Sequence, residues 1–212
     1  TAGAATSVSA GSALRATPAT GATGAAVAAT LARDVADPSS TPRTGSATAD
    51  ETVVVVGPAG APTRAVATAI LSLRLEAVAV VAFDTVPHLL VRTGAQVGVR
   101  EVVRRVLEVP AQGYTNIEGG LRAGAEQLRR GQHRERVGLL FTDGVANVGA
   151  DPAIAAARFP RLHVVHVGEH HPQGARACLA MARAGHGKLY RARSYQDLPG
   201  VVRTAVRELF RG

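Results

Sequence analysis

The chain has 212 residues, 46% of them hydrophobic, which suits one domain of about 150 residues with an appendage and leaves little room for two full domains. Its formal net charge of +8 comes almost wholly from arginine, because Lys188 is the only lysine. The single cysteine, Cys178, excludes an intramolecular disulfide, and so a disulfide-stapled secreted scaffold has no support. A reducing compartment fits this composition better.

The composition also argues against two classes of partner. Aromatic residues, which stack on bases, make up 3% of the chain, and the arginines are spread along predicted helices. We therefore do not expect nucleic acid as a partner. No run approaches the ~20 apolar residues of a membrane-spanning helix, and the N-terminus lacks the pattern of a signal peptide. We expect no membrane contact and a cytoplasmic location.

The first part of the chain, residues 1–50, is dominated by Ala, Thr, Gly, Ser and Pro and has no aromatic residue. Such a segment buries too little apolar surface to offset the entropy lost on ordering. We predict a largely disordered linker or tail with one weak helix over Gly24–Val35, which Pro38 ends. Residues 51–212 form the predicted domain.

From Glu51 onward, short β-branched runs alternate with amphipathic stretches, which is typical of strands alternating with helices. The predicted strands are Thr52–Val56, Val78–Phe83, His88–Val91, Val137–Thr142, His163–Val167 and Lys188–Arg191. The predicted helices are Thr63–Arg74, Val99–Val109, Ile117–Arg130, Pro152–Arg158, Gly174–Ala184 and Tyr195–Phe210.

The apolar strand runs VVVV and VAVVAF indicate strands covered on both faces, and hence a largely parallel sheet between two layers of helices. The short PHLLVR stretch follows the second strand closely, which favours an antiparallel edge strand there. We predict a Rossmann-like, three-layer α/β domain with one antiparallel edge strand. Ligands of such sheets bind in the crevice at the carboxyl ends of the strands.

Three loops are predicted at that edge. The first loop is GPAGAP (57–62), the second is QGYTN (112–116), and the third is TDGVANVG (142–149). The run from VAVVAFDT through GYTNIEGGLRAGAEQL and VGLLFTDGVANVG to HVVHVGEH resembles a von Willebrand factor A (VWA) domain over residues ~51–212. The pairing of a T-N-I-x-x-G-L loop with a strand that ends in T-D-G carries this resemblance.

The resemblance implies a metal-ion-dependent adhesion site (MIDAS) with oxygen ligands from all three loops. Thr115 matches the family's threonine and Asp143 its third-loop aspartate. The first-loop motif D-x-S-x-S is missing, since Gly57, Ala59 and Ala61 occupy the ligand positions. Magnesium prefers several oxygen ligands and dehydrates reluctantly, so we expect no required cofactor and at most weak Mg²⁺ binding. We expect Asn116 and Asn147 to complete a partner-binding crevice.

Several of these residues also have structural interpretations. Asp143 followed by glycine makes a turn whose carboxylate accepts backbone N–H groups, and either Thr115 or Asn116 caps the helix that follows. His170 and His171, beside Glu169, lie in one loop, where solvated histidines are commoner than a transition-metal site. His163 and His166 differ by an odd number along a strand, so they point to opposite faces and do not share a metal.

The favoured function is a non-catalytic protein-interaction module with a degenerate MIDAS. The bacterial VWA proteins that it resembles work beside MoxR-like or chelatase-type AAA+ ATPases, so the resemblance implies such a partner. The alternative is a nucleotide-binding Rossmann-like protein or enzyme that uses the loop from Gly57 to Ala61. That loop lacks the G-K-[ST] ending of a phosphate-binding loop, and Ala59 stands at the second glycine of a dinucleotide fingerprint. Cys178 lies on the apolar side of a helical pattern, and no Ser-His-Asp or Cys-His arrangement is indicated.

Overall fold

A computed structural model describes residues 51–59, 77–110, 113–168, 171–194 and 196–209. The predicted tail over residues 1–50 and the predicted helix over Thr63–Arg74 lie outside these ranges, and so do Gly60 and Ala61 of the first loop. The predictions for these segments therefore stay predictions.

The described residues form one six-stranded sheet with the strand order β3-β2-β1-β4-β5-β6. All neighbouring strands pair in parallel except β2 and β3, which are antiparallel. The predicted parallel sheet with an antiparallel edge is thereby confirmed. The strands are β1 (Glu51–Pro58), β2 (Ala77–Phe83), β3 (Pro87–Val91), β4 (Glu135–Thr142), β5 (Leu162–Val167) and β6 (His186–Ala192).

The helices in the described ranges are α1 (Val99–Glu108), α2 (Ile117–Arg130), α3 (Pro152–Ala156), α4 (Pro172–Ala184) and α5 (Leu198–Leu209). Helix α4 begins two residues before its predicted start, because Pro172 takes the first helical turn, where a missing N–H costs nothing. Helix α5 begins later than predicted, since Asp197 accepts a hydrogen bond from the Ser194 N–H and closes a turn before it. Among the described residues, no helix is long and apolar enough to cross a bilayer.

Two apolar cores lie on opposite faces of the sheet. One core joins Val55, Leu139 and Val165 to side chains of α1 and α5. The other joins Val54, Leu140 and Val164 to side chains of α2, α3 and α4. Alternate residues of one strand therefore enter opposite cores, which is the pattern of a sheet covered on both faces.

Helix α2 packs closely against the sheet because two of its glycines face strand side chains. A β-carbon at Gly120 would lie 2.6 Å from the Phe83 ring, and one at Gly124 would lie 2.7 Å from Val56 Cγ2. Both strand side chains are fully buried, so neither has space to withdraw. The glycines thus fix α2 against β1 and β2, and its first turn lies beside the carboxyl ends of these strands.

Candidate functional site

The carboxyl ends of β1 and β4 meet at one edge of the sheet, since the two strands are parallel neighbours. Gly57 is buried within β1, opposite Ala82 of β2. The Ala59 N–H donates a hydrogen bond to the Phe83 carbonyl at 2.7 Å, so the start of the first loop continues along β2. The position of Ala61 lies outside the described residues.

The second loop is attached to the turn between β2 and β3 by Asn116. The Asn116 side-chain oxygen accepts from the Gly119 N–H at 2.8 Å, so Asn116, rather than Thr115, caps α2. Its side-chain amide donates to the Thr85 carbonyl at 3.1 Å, and its backbone N–H donates to the Asp84 carbonyl at 2.8 Å. One residue therefore begins the helix and holds the neighbouring turn.

The third loop turns immediately after β4. Asp143 accepts the Val145 N–H on Oδ1 at 2.9 Å, as the turn interpretation of Asp-Gly predicts. The Thr142 hydroxyl accepts the Gly144 N–H at 3.0 Å. The side-chain oxygen of Asn147 accepts the Thr115 N–H at 3.3 Å, and the Asn147 N–H donates to the Thr115 carbonyl at 3.0 Å. The structure thus brings Thr115, Asn116 and Asn147 together across two loops.

The β2–β3 turn, residues 84–86, contributes to the site although the sequence did not predict it. The Thr85 hydroxyl accepts the Tyr114 N–H at 2.9 Å. Asp84 Oδ1 accepts the Val86 N–H at 2.9 Å and lies 3.1 Å from His88 Nε2. Partial burial acts to raise the pKa of Asp84, but the hydrogen bonds from Val86 and His88 outweigh it and lower that pKa. Asp84 and Thr85 are two polar residues directly after the apolar strand β2, at the sheet edge where the other loops lie. This pattern is the signal that would have identified the turn.

Three large apolar side chains are exposed on these interlocked loops. Tyr114 in the second loop is 62% exposed, Val86 in the β2–β3 turn 52%, and Val145 in the third loop 36%. The backbone of each is held by a hydrogen bond to a side chain of its own or a neighbouring loop. We call Val86, Tyr114 and Val145 the apolar rim. Its side chains meet solvent although its backbone is fixed.

Similarity to known proteins is found in structure alone. No protein-family model matches the sequence, and no curated protein matches it. The BatB protein from Bacteroides thetaiotaomicron superimposes with a TM-score of 0.59 at 12% identity, over 76% of this chain and 99% of that one. A von Willebrand factor type A protein from Catenulispora acidiphila gives 0.61 at 16% identity, over 76% and 43% of the two chains.

Proximal thread matrix protein 1 from the mussel byssus, solved with a zinc-occupied MIDAS motif, gives a TM-score of 0.60 at 14% identity. The match covers 74% of this chain and 47% of that one. The chain has the fold of a von Willebrand factor A domain. At these identities the similarity establishes the fold, while function has to be argued from the residues of the site.

The donor set of this VWA fold does not fit a hard cation. Gly57 and Ala59 bring no side-chain oxygen to the site, and one Asp143 oxygen already accepts a backbone N–H. The Thr115 hydroxyl adds a single neutral donor. Magnesium needs near-octahedral oxygen coordination and gives up its waters only for several strong ligands. Among the described residues, no group of three or more His, Cys, Asp or Glu side chains could hold a metal ion.

The buried histidines of β5 lie on opposite faces of the sheet, as predicted. His163 shares the face of Val165, which packs with α5, whereas His166 shares the face of Val164, which packs with α4. His163 Nδ1 accepts the Lys188 N–H at 3.2 Å. Glu169 and His170, the other members of the predicted histidine loop, lie outside the described residues.

Proposed function

We propose that this chain is a non-catalytic protein-interaction module. It recognises its partner with the crevice at the carboxyl ends of the strands, through apolar side chains rather than through a metal ion. The observation that carries the proposal is the apolar rim: Tyr114, Val86 and Val145 are exposed on three loops that hydrogen bonds join to one another. Gly57, Ala59, Ala61, Thr115, Asn116, Asp143 and Asn147 form the proposed crevice beside it.

Tyr114 is suited to binding a partner because it is exposed and its backbone is fixed. Tyrosine offers a large amphipathic surface with few rotatable bonds, and it is enriched among the residues that dominate interface energies. Because the Thr85 hydroxyl accepts the Tyr114 N–H, the backbone under that side chain is already ordered. Preorganisation of this kind lowers the entropy lost on association. A partner that presents an apolar pocket to Tyr114 fits this surface.

The absence of catalysis is part of the proposal, and Cys178 supports it. The Cys178 side chain is fully buried, and burial together with the charge of Asp143 raises the pKa of its thiol to about 12. A thiol of that kind is protonated at neutral pH and does not act as a nucleophile. Its only hydrogen-bond partner in the described part of the chain is the Thr142 carbonyl.

The partner class that we propose is an AAA+ ATPase of the MoxR or chelatase type. Its support is the overall resemblance of the sequence to bacterial VWA proteins that work beside such ATPases, and a cytoplasmic location belongs to the same proposal. A gene for an AAA+ ATPase beside the gene for this chain would supply the candidate for direct binding measurements.

The proposal is tested by crosslinking from the rim. Two variants of the full chain each carry one photoreactive amino acid, the first at position 114 and the second at position 179. Leu179 is the matched site because it is also an exposed apolar residue, 37% exposed, on α4. We expect crosslinks to one protein from position 114 and none to it from position 179. Crosslinking to the same protein from both positions would overturn the assignment of the crevice.

The nucleotide-binding alternative is separated by thermal unfolding. A true ATP or NAD site stabilises the folded state by a few kcal/mol at saturating ligand, because the ligand binds only the folded protein. We expect no shift in melting temperature with either nucleotide at about 1 mM. A shift that Ala59→Trp abolishes would favour nucleotide binding at the first loop over the proposed function.

A further inference from the structure

A second surface with its own chemistry lies at the carboxyl end of β6, two strands from β4 in the sheet order. A cleft with a volume of about 670 Å³ opens between the last residues of this strand and the first turns of α5. Three of its lining residues are arginines. The cleft-lining residues that matter here are Tyr190, Arg191, Arg193, Asp197, Gly200 and Arg203.

The three cleft arginines differ from five arginines of α1 and α2, each of which has a glutamate partner. No carboxylate of the described residues forms an ion pair with Arg191, Arg193 or Arg203. By contrast, five arginines of α1 and α2 pair with glutamates of their own helices. These pairs are Arg104 with Glu101 and Glu108, Arg105 with Glu101, Arg122 with Glu118, and Arg129 and Arg130 with Glu126.

The carboxylates near the cleft already make hydrogen bonds or an ion pair with other residues. The Asp197 carboxylate accepts the Ser194 N–H at 2.9 Å. Glu208 accepts from the Tyr190 hydroxyl at 2.8 Å and pairs with Lys188 Nζ at 2.8 Å. Three arginines against one aspartate leave the lining with a net charge of +2. The N-terminal end of α5 adds partial positive charge, since the peptide dipoles align along the helix axis with their positive ends toward the N-terminus.

The free edge of the sheet borders this cleft. β6 is the last strand in the sheet order, and no strand of the described ranges pairs with its outer edge. Tyr190 and Arg191 belong to both the strand and the cleft. A segment in extended conformation can add to such an edge through main-chain hydrogen bonds while its side chains reach neighbouring charges.

We propose that the cleft binds an extended acidic segment of a partner protein, which pairs with the outer edge of β6 and places carboxylates on Arg193 and Arg203. A guanidinium matches a carboxylate with two parallel hydrogen bonds. The lining arginines, Asp197 and Gly200 are exposed, so the cleft is shallow, whereas small-molecule sites enclose most of their ligand. Because none of these residues belongs to the crevice, the inference stands or fails separately from the proposed function.

The test uses the full chain and a labelled peptide of about ten residues in which Glu and Val alternate. Binding is measured by fluorescence anisotropy at low and physiological salt. We expect the double variant Arg193→Gln/Arg203→Gln to weaken the peptide Kd about tenfold or more. The matched control is Arg176→Gln/Arg183→Gln, which removes two exposed charges from α4, on the opposite face of the sheet. We expect the control to change Kd by less than about twofold.

A second peptide, in which proline replaces valine, tests the pairing with β6. It keeps the charges but loses the N–H of every second residue, and proline is poorly tolerated in paired strands, so we expect weaker binding. Three outcomes would overturn the proposal: equal losses in the cleft and control variants, no binding below about 1 mM, or tighter cleft-dependent binding of inorganic phosphate or a single-stranded oligonucleotide than of the peptide. Circular dichroism of each variant establishes that it is folded.

Discussion

Thr115 and Asn147 bond to each other in both directions. The Thr115 N–H donates to the Asn147 side-chain oxygen at 3.3 Å, and the Asn147 N–H donates to the Thr115 carbonyl at 3.0 Å. The loop before α2 and the loop after β4 are thereby joined although 32 residues separate the two positions. A substitution that removes the Asn147 side-chain oxygen should therefore change the order of the second loop.

Replacing Asn147 with alanine should loosen that loop. Asn147→Ala removes the side-chain acceptor of the Thr115 N–H, and the loss of a net hydrogen bond costs about 0.5–1.5 kcal/mol. We expect a small decrease in the free energy of unfolding in urea and faster amide exchange at Thr115. Asn147→Asp keeps an acceptor oxygen and should retain most of the protection. Equal exchange rates in the wild type and in Asn147→Ala would show that the bond does not order the loop.

Gly124→Ala should destabilise the fold although alanine favours helices. The new β-carbon would lie 2.7 Å from Val56 Cγ2, and overpacking of this kind costs about 1–3 kcal/mol. The gain in helix propensity is only about 1 kcal/mol. We expect a net loss of up to about 2 kcal/mol in the free energy of unfolding, measured by urea denaturation.

Gly200 provides the matched control for Gly124. It also lies in a helix, α5, but a β-carbon there meets no atom within 4 Å. Gly200→Ala should raise the free energy of unfolding by up to about 1 kcal/mol, because it restricts the unfolded chain without a clash. If both variants were stabilised, α2 would not lie as close to the sheet as the structure has it.

Acid should destabilise the protein through His163. Burial, with smaller contributions from the charges of Arg161 and Lys188, lowers the pKa of His163 from 6.5 to about 4, while Glu208 acts in the opposite direction. Between these two values the unfolded chain binds a proton that the folded chain does not. The contribution of His163 to the free energy of unfolding is therefore fully present above pH 6.5 and is lost as the pH falls toward 4. The total change is on the order of 3 kcal/mol.

Urea denaturation across this pH range measures the effect. His163→Gln removes the titrating group, so we expect a clearly smaller slope of unfolding free energy against pH than in the wild type. His171→Gln is the control, because His171 is exposed at the start of α4 and makes no capping hydrogen bond. The control should keep a steeper slope than His163→Gln, because it retains His163. If His163→Gln kept the wild-type slope, His163 would not be the group that causes the loss of stability in acid.

Restoring the missing ligands should create a metal site. The triple variant Gly57→Asp, Ala59→Ser, Ala61→Ser adds a carboxylate and two hydroxyls to Thr115 and Asp143, and magnesium favours such oxygens. We expect no calorimetric Mg²⁺ binding tighter than about 100 μM in the wild type, but Mg²⁺-dependent stabilisation in the triple variant. A further Asp143→Ala change should abolish it. A folded triple variant without metal-dependent stabilisation would show that the first loop does not reach the site.

The strand pattern of the sequence was sufficient to predict the sheet. The VVVV run within β1 is apolar at every position, which is typical of a strand covered on both faces. The site was predicted less completely. Thr115, Asn116 and Asn147 lie together across two loops, while their part in partner binding stays a prediction. The sequence left open whether Thr115 or Asn116 caps α2. Asn116 does so because its side chain reaches both the Gly119 N–H and the Thr85 carbonyl.

The apolar rim could not be predicted from the sequence. Tyr114 stands between polar residues in a loop, and no periodic pattern reports whether a loop side chain is buried or exposed. Its backbone N–H donates to the Thr85 hydroxyl, 29 positions away. Long-range contacts of this kind follow from the tertiary arrangement of loops rather than from local propensity, so only the structure shows them.

The most direct test of the account is the affinity of the purified partner, identified by crosslinking from position 114, in Mg²⁺ and in EDTA. We predict the same Kd in both conditions, within about twofold, because no metal ion takes part in the contact. Tyr114→Ser should weaken Kd about tenfold or more in each condition, whereas Leu179→Ser should leave it unchanged. A Kd that is lost in EDTA and unaffected by Tyr114→Ser would contradict the account.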